Sequence, residues 1–138
     1  MKFTRRHTLL MAMGSAAAAV LPARAFANIA DNIAAFTGGA EVGSAGITLV
    51  APEIAENGNI VPIEVSAPGA EAIMVLAAGN PTPAVATFNF GPLAGAQMAS
   101  TRIRLAGTQD VIAIAKMPDG TFVQASQEVK VTIGGCGG

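Results

Sequence analysis

Between Ile47 and Ile133 the chain is cut into short runs by turn signals at close intervals, and this punctuation limits its fold more than any other feature. Ile47-Thr48-Leu49-Val50 reads as a strand, and Asn57-Gly58-Asn59 as a turn. A second strand, Ile60 to Ser66, carries Pro62, which has no N–H to give a ladder and so points to an edge or a bulge. After the turn Ala67-Pro68-Gly69-Ala70 comes an apolar strand from Ala72 to Ala77, then the break Gly79-Asn80-Pro81-Thr82-Pro83. The run from Ala84 to Phe90 sets Phe88 and Phe90 on one face, and Gly91 to Gly95 forms a further loop. Both loops, 79–83 and 91–95, read as turn chemistry rather than as ligand sites. In Ser100 to Leu105, Ile103 and Leu105 alternate with Arg102 and Arg104, giving a strand with one dry and one wet face. Pro118-Asp119-Gly120 joins the runs Val111 to Met117 and Thr121 to Val131 as a hairpin. Roughly seven short strands in roughly 90 residues predict an all-β protein, an immunoglobulin-like β-sandwich.

Two flanking pieces fall outside that pattern. Lys2, Arg5 and Arg6 precede an uncharged run from Leu9 to Leu21, and Ala25-Phe26-Ala27 supplies small-x-small cleavage chemistry. Ala23-Arg24-Ala25 offers an alternative cut after Ala25. As a helix the uncharged run rises about 20 Å, short of a hydrocarbon core of about 30 Å, so a membrane span is not expected. Thr4-Arg5-Arg6-His7-Thr8-Leu9-Leu10 resembles a twin-arginine export signal, with Thr8 where that motif more often has Phe. Residues 1–27 are therefore expected to be a twin-arginine signal peptide. Next, Ile29, Ile33 and Phe36 recur at helical spacing ahead of Gly38-Gly39. A short N-terminal helix and connector is predicted over 28–45, its apolar stripe packing on the domain or on a partner. The sandwich occupies 46–133, and residues 134–138 form a separate terminal arm.

Composition after residue 27 excludes several classes of function. Four basic residues remain against nine acidic ones, a balance of −5 with no basic patch to neutralise phosphates, so nucleic acid is not expected as a partner. The only His is His7, there is no Trp or Tyr, and Cys136 is the only Cys. Without imidazole there is no Ser-His or Cys-His nucleophile pair and no ordinary zinc, haem or copper ligand set. One Cys cannot form an internal disulfide or hold an iron–sulfur cluster. The reading is a non-enzyme with no cofactor of its own. The core is mostly Ala, Val, Ile and Leu with Phe36, Phe88, Phe90 and Phe122. Such small side chains predict marginal stability alone and a partner subunit over a flat β face.

The chain ends Gly134-Gly135-Cys136-Gly137-Gly138. Glycine visits backbone regions closed to other residues, so a flexible C-terminal arm is expected, able to enter a narrow channel. Extended, it reaches about 10 Å beyond Ile133 at ~3.3–3.6 Å per residue. No Lys, Arg or His lies beside Cys136 in sequence, and an unperturbed thiol near pKa ~8.5 is only about 3 % thiolate at pH 7. An unactivated thiol on such an arm suits a covalent carrier that offers its group to enzymes bringing their own metal or haem.

Ile47-Thr48-Leu49, Ala51 to Gly58, Gly79-Asn80-Pro81, Phe90-Gly91-Pro92-Leu93, Ser100 to Gln109 and the terminal Gly-Gly-Cys-Gly-Gly together resemble the SoxY family, the sulfur-carrier subunits of the periplasmic thiosulfate-oxidising system. The resemblance spans essentially the whole chain. It implies an immunoglobulin-like sandwich paired with a SoxZ-like subunit. Cys136 would be the site to which a c-type cytochrome couples thiosulfate, giving an S-thiosulfonate. A dimanganese hydrolase would release sulfate, and a sulfane dehydrogenase or another acceptor would process the persulfide left behind. Gly134, Gly135, Gly137 and Gly138 would form the arm.

Two rival classes have distinct signatures. A thiocarboxylate carrier activated at its terminal Gly138 needs adenylation by ATP, which an exported protein does not meet. An exported structural sandwich could instead dimerise through Cys136, since an exposed thiol in an oxidising compartment readily pairs. Lipidation fits poorly, because two glycines follow Cys136 and no prenylation box is present.

Overall fold

The computed structural model of the chain describes residues 23–134. Expectations for residues 1–22 and for Gly135, Cys136, Gly137 and Gly138 lie outside the described residues. Helix α1 (Ala23–Thr37) is followed by β1 (Val42–Gly43), β2 (Thr48–Val50), β3 (Ile54–Ala55), β4 (Val61–Ser66) and β5 (Ala72–Ala77). Then come β6 (Ala84–Asn89), β7 (Met98–Ile103), β8 (Gln109–Lys116) and β9 (Phe122–Val131). One sheet runs β1-β9-β8-β5-β6, with β3 also on β9; the other runs β2-β4-β7. The two sheets form an immunoglobulin-like sandwich, as the strand spacing predicts.

The core lies between the sheets. Val61, Ile63, Val65, Ile103 and Leu105 come from β4, β7 and the residues just past β7. They meet Ile73, Val75, Val111, Ala113 and Val129 of the larger sheet. Strand neighbours point to opposite faces, so a strand buried along its whole length must be covered on both sides. Every residue of β5 is buried. Met74 and Leu76, on its other face, join Ile114 and Phe122 in a second cluster, and Ile29, Ile33 and Phe36 of α1 pack on it. The rings of Phe36 and Phe122 meet edge to face, centroids 5.7 Å apart at 69°. The apolar stripe of α1 thus packs on its own domain.

The helix starts at Ala23 rather than Asn28, because the alanine-rich residues ahead of Asn28 hold no helix breaker. A cut after Ala25 or Ala27 would shorten it while sparing Ile29, Ile33 and Phe36. It ends where expected: the Gly38 N–H donates to Ala34 O at 2.8 Å, and Gly38 and Gly39 take φ of 65° and 85°. Pro62 sits in β4, the middle strand of its sheet, yet β2 pairs only with Glu64, Val65 and Ser66. At Pro62 the strand has one partner, Arg102 of β7, so the missing N–H is tolerated as at an edge.

The β8–β9 hairpin forms as predicted, with eight register pairs from Gln109↔Val129 to Lys116↔Phe122. Gly120 closes the turn at φ 85°. The Asp119 carboxylate accepts from the hydroxyl of Thr121 at 2.6 Å and from its N–H at 3.0 Å. Those two bonds favour the charged form and lower the Asp119 pKa. The stabilisation is present above the ordinary aspartate range and is lost as pH falls through the lowered value.

Because α1 is the cover on the second cluster, Phe36→Ala is expected to destabilise the domain by about 2 kcal/mol, below the full-burial value since Phe36 is only half-buried. Urea denaturation checks this: the midpoint falls while the slope stays unchanged.

Candidate functional site

The site grows from the end of β9, the strand that leads into the terminal arm. Lys130 N–H donates to Glu53 O at 2.9 Å, and Thr132 N–H donates to Ala55 O at 3.1 Å. The Thr132 hydroxyl donates to Glu56 O at 3.0 Å, and Val131 N–H to the Thr108 hydroxyl at 3.0 Å. Last in line, Ile133 O accepts from Gly58 N–H at 2.8 Å, while Gly58 O accepts from Leu105 N–H at 2.7 Å. The chain is therefore held residue by residue up to Ile133.

Gly134 is the next residue and the first of the predicted arm. A Cβ built there would lie 2.5 Å from the carbonyl oxygen of Ala106, closer than any side chain is tolerated. Glycine at 134 is required by this backbone approach. The arm's root is thus fixed by its backbone approach to Ala106.

Ala106 is itself fixed from beneath. Asn80 and Gln109 are both buried, and the Gln109 amide donates to Asn80 Oδ1 at 2.9 Å and to Gly107 O at 2.9 Å. Asn80 Oδ1 also accepts from Ala106 N–H at 2.9 Å, and Asn80 Nδ2 donates to Arg104 O at 2.8 Å. Gln109 Oε1 accepts from Gly79 N–H at 2.8 Å. Among the described residues no buried side-chain polar atom lacks a partner, so this amide pair is fully satisfied and rigid. It clamps 104–107, and that segment in turn seats Gly134.

Of the predicted site residues, Gly134 is placed at this root; Gly135, Cys136, Gly137 and Gly138 lie outside the described residues. Asn80, Gln109, Ala106, Gly58 and Thr132 were not anticipated as site residues. Loop 79–83 reads as turn chemistry in sequence, and the partner of Asn80 lies 29 residues away, beyond any local pattern. A signal was nevertheless present. Three of the segments carrying the family resemblance, 51–58, 79–81 and 100–109, are those whose atoms converge here. Among the described residues no three His, Cys, Asp or Glu side chains are grouped to hold a metal, and no helix is long and apolar enough to cross a membrane.

The family model for sulfur oxidation protein SoxY matches residues 33–136. The chain belongs to the SoxY family. Among solved structures, the sulfur carrier protein SoxY from Chlorobium limicola f thiosulfatophilum is 37% identical, with a TM-score of 0.67, over 78% of this chain and 98% of that one. Superoxide reductase (neelaredoxin) from Ignicoccus hospitalis is 18% identical, with a TM-score of 0.55, over 62% of this chain and 79% of that one. A putative superoxide reductase from Thermotoga maritima is 19% identical, with a TM-score of 0.51, over 70% and 89%. At such identity these two show the shared fold alone. None of the curated protein sequences matches the chain.

Gly134→Ala forces the SoxY-family root away from Ala106. The expected result is faster amide exchange at Gly58, whose N–H holds Ile133, with exchange in the core of β5 unchanged; equal protection at Gly58 in both proteins would contradict a packed root.

Proposed function

We propose that this SoxY-family protein is a covalent carrier in sulfur oxidation, holding sulfur intermediates on Cys136 and presenting them to partner enzymes. The observation that carries the reading is the sole thiol of the chain, two residues past a root that is seated at Gly134. Family membership and the likeness to a protein described as a sulfur carrier support it. From Gly134 an extended chain brings residue 136 out by about 7 Å. Glycines on both sides leave the thiol without neighbouring bulk, so a partner's narrow channel can admit it.

In the loading step the Cys136 sulfur bonds to the outer sulfur of thiosulfate. The thiol proton and two electrons leave, the electrons being taken one at a time by a c-type cytochrome, and an S-thiosulfonate remains. Water then attacks the sulfonate sulfur in a dimanganese hydrolase. The bond between the two terminal sulfurs breaks, sulfate and protons depart, and Cys136 keeps a persulfide. A sulfane dehydrogenase or another sulfur acceptor then processes the persulfide left behind. The chain contributes the attacking sulfur and its delivery; the metals belong to the partners.

A SoxZ-like subunit completes the carrier. α1 covers the outer face of the larger sheet, whereas the outer face of β2-β4-β7 leaves Val50 and Met98 exposed beside a groove of about 820 Å³. That groove opens where β2 stops pairing with β4, and it is the face offered to the partner. The protein works in the periplasm, exported by the twin-arginine signal in residues 1–27. Folding with its partner before export supplies a reason for a route that carries folded protein.

Cys136→Ser tests the reading. The serine variant is expected to fold, to copurify with its partner subunit and to lose thiosulfate-dependent electron transfer to the cytochrome. Wild-type activity in the variant would sink the carrier assignment.

A further inference from the structure

Beside the arm's root lies a second surface pocket, of about 370 Å³, between β7 and the start of β6. Arg102, Arg104, Asn59, Asn80 and Thr82 contribute its polar lining, and among the described residues no carboxylate lines it. The concentration of charge is unusual for this chain. After residue 27 there are nine acidic residues and four basic ones, and two of those four line this one pocket. A concavity lined by one sign of charge raises the local concentration of its counter-ion.

The pocket shares its supports with the root. Asn59 follows Gly58, whose N–H holds Ile133 O, and Arg104 stands two residues before Ala106, against whose carbonyl Gly134 is packed. Cys136 starts from that root on a tether of two residues, spanning at most about 7 Å before its side chain and any adduct extend further. Such a tether holds a bound group near the pocket at an effective concentration on the order of millimolar. Guanidinium groups match the planar edges of oxygen anions with paired donors.

We infer that the Arg102–Arg104 pocket is a docking site for the oxyanion end of the group carried on Cys136, an alkyl-thiosulfonate or related sulfonate. The inference rests on the carrier reading of Cys136 and adds to it a place where the charged adduct is parked between partners. Docking would hold the sulfonate against two cations and withdraw the sulfur–sulfur bond from stray thiols. The neutral thiol state has no such anchor, so loaded and empty protein present their arms differently.

The test needs no partner enzyme. Tetrathionate loads the thiol directly: the Cys136 thiolate attacks an inner sulfur, the S-thiosulfonate forms, and thiosulfate leaves with the electron pair of the broken bond. Iodoacetamide gives a neutral cap for comparison. In nitrogen-15 spectra the loaded protein is expected to shift the Nε–H signals of Arg102 and Arg104 relative to the capped protein. Release of the adduct by mercaptoethanol is expected to be at least ~3-fold faster in the Arg102→Gln/Arg104→Gln double variant, as the tethered anion is no longer held. Lys116→Gln, which removes a cation elsewhere, should release at the wild-type rate.

Identical arginine spectra for loaded and capped protein would overturn the inference, leaving the pocket to the Gly138 carboxylate or to solvent. Equal release rates in the wild type and the double variant would overturn it too, and so would an equal acceleration in Lys116→Gln. Because the adduct is made chemically, none of these outcomes bears on whether cells use Cys136 as a carrier; that stands or falls with the Cys136→Ser assay.

Discussion

Strand β9 is held along both of its edges, and the placement of Gly134 follows from that constraint. One edge is laddered to β8 through eight register pairs. On the other edge β1 takes Phe122 and Val123 in parallel, and β3 takes Lys130 and Val131. A one-residue slip would turn every side chain of β9 to the wrong face, moving Val129 out of the core. The register is thus locked at both ends. The hydrogen bonds of Thr132 and Ile133 then extend the fixed backbone two residues beyond the last rung. Under the proposed carrier role the thiol needs a reproducible point of departure, which double-edged pairing would supply at Gly134.

The remainder of the domain supports that strand from two sides. The sandwich core holds one face of the larger sheet, and α1 closes the other through Ile29, Ile33 and Phe36. Beneath the root, a buried amide pair does what an apolar core cannot. Asn80 and Gln109 each bond backbone groups of loops that have no ladder of their own, so irregular segments 79–80 and 104–107 are held in fixed register to each other. An unmade bond there would leave a buried polar atom at a cost of about 1–3 kcal/mol, which makes the clamp an all-or-none arrangement.

The main strands and the hairpin were legible because their signals are local. β4, β5, β6, β8 and β9 show alternation or apolar runs bounded by Gly, Pro and Asn, and Pro118-Asp119-Gly120 names its own turn. β1 and β3 were not legible: two-residue strands have no period, and their parallel pairing to β9 joins residues about 80 apart in sequence. The early start of α1 was missed because the expected cleavage chemistry of 23–27 overlaps good helix formers. At the site, Cys136 and its glycines stood out by composition alone. The reason for glycine at 134 did not, since it lies in the carbonyl of Ala106, and only the folded chain brings the two together. Asn80 and Gln109 were hidden for the same reason.

The chain belongs to the SoxY family, and its sole Cys lies two residues past Gly134, whose backbone sits against Ala106. The carrier account makes one demand that a structural sandwich or a carrier activated at Gly138 does not. Intact-mass measurement of the protein from the periplasmic fraction of cells oxidising thiosulfate addresses it most directly. The account predicts forms heavier by sulfur or by thiosulfate, removed by a reducing thiol and mapping by peptide analysis to Cys136. Unmodified thiol, or only a disulfide-linked dimer, throughout active thiosulfate oxidation would contradict it.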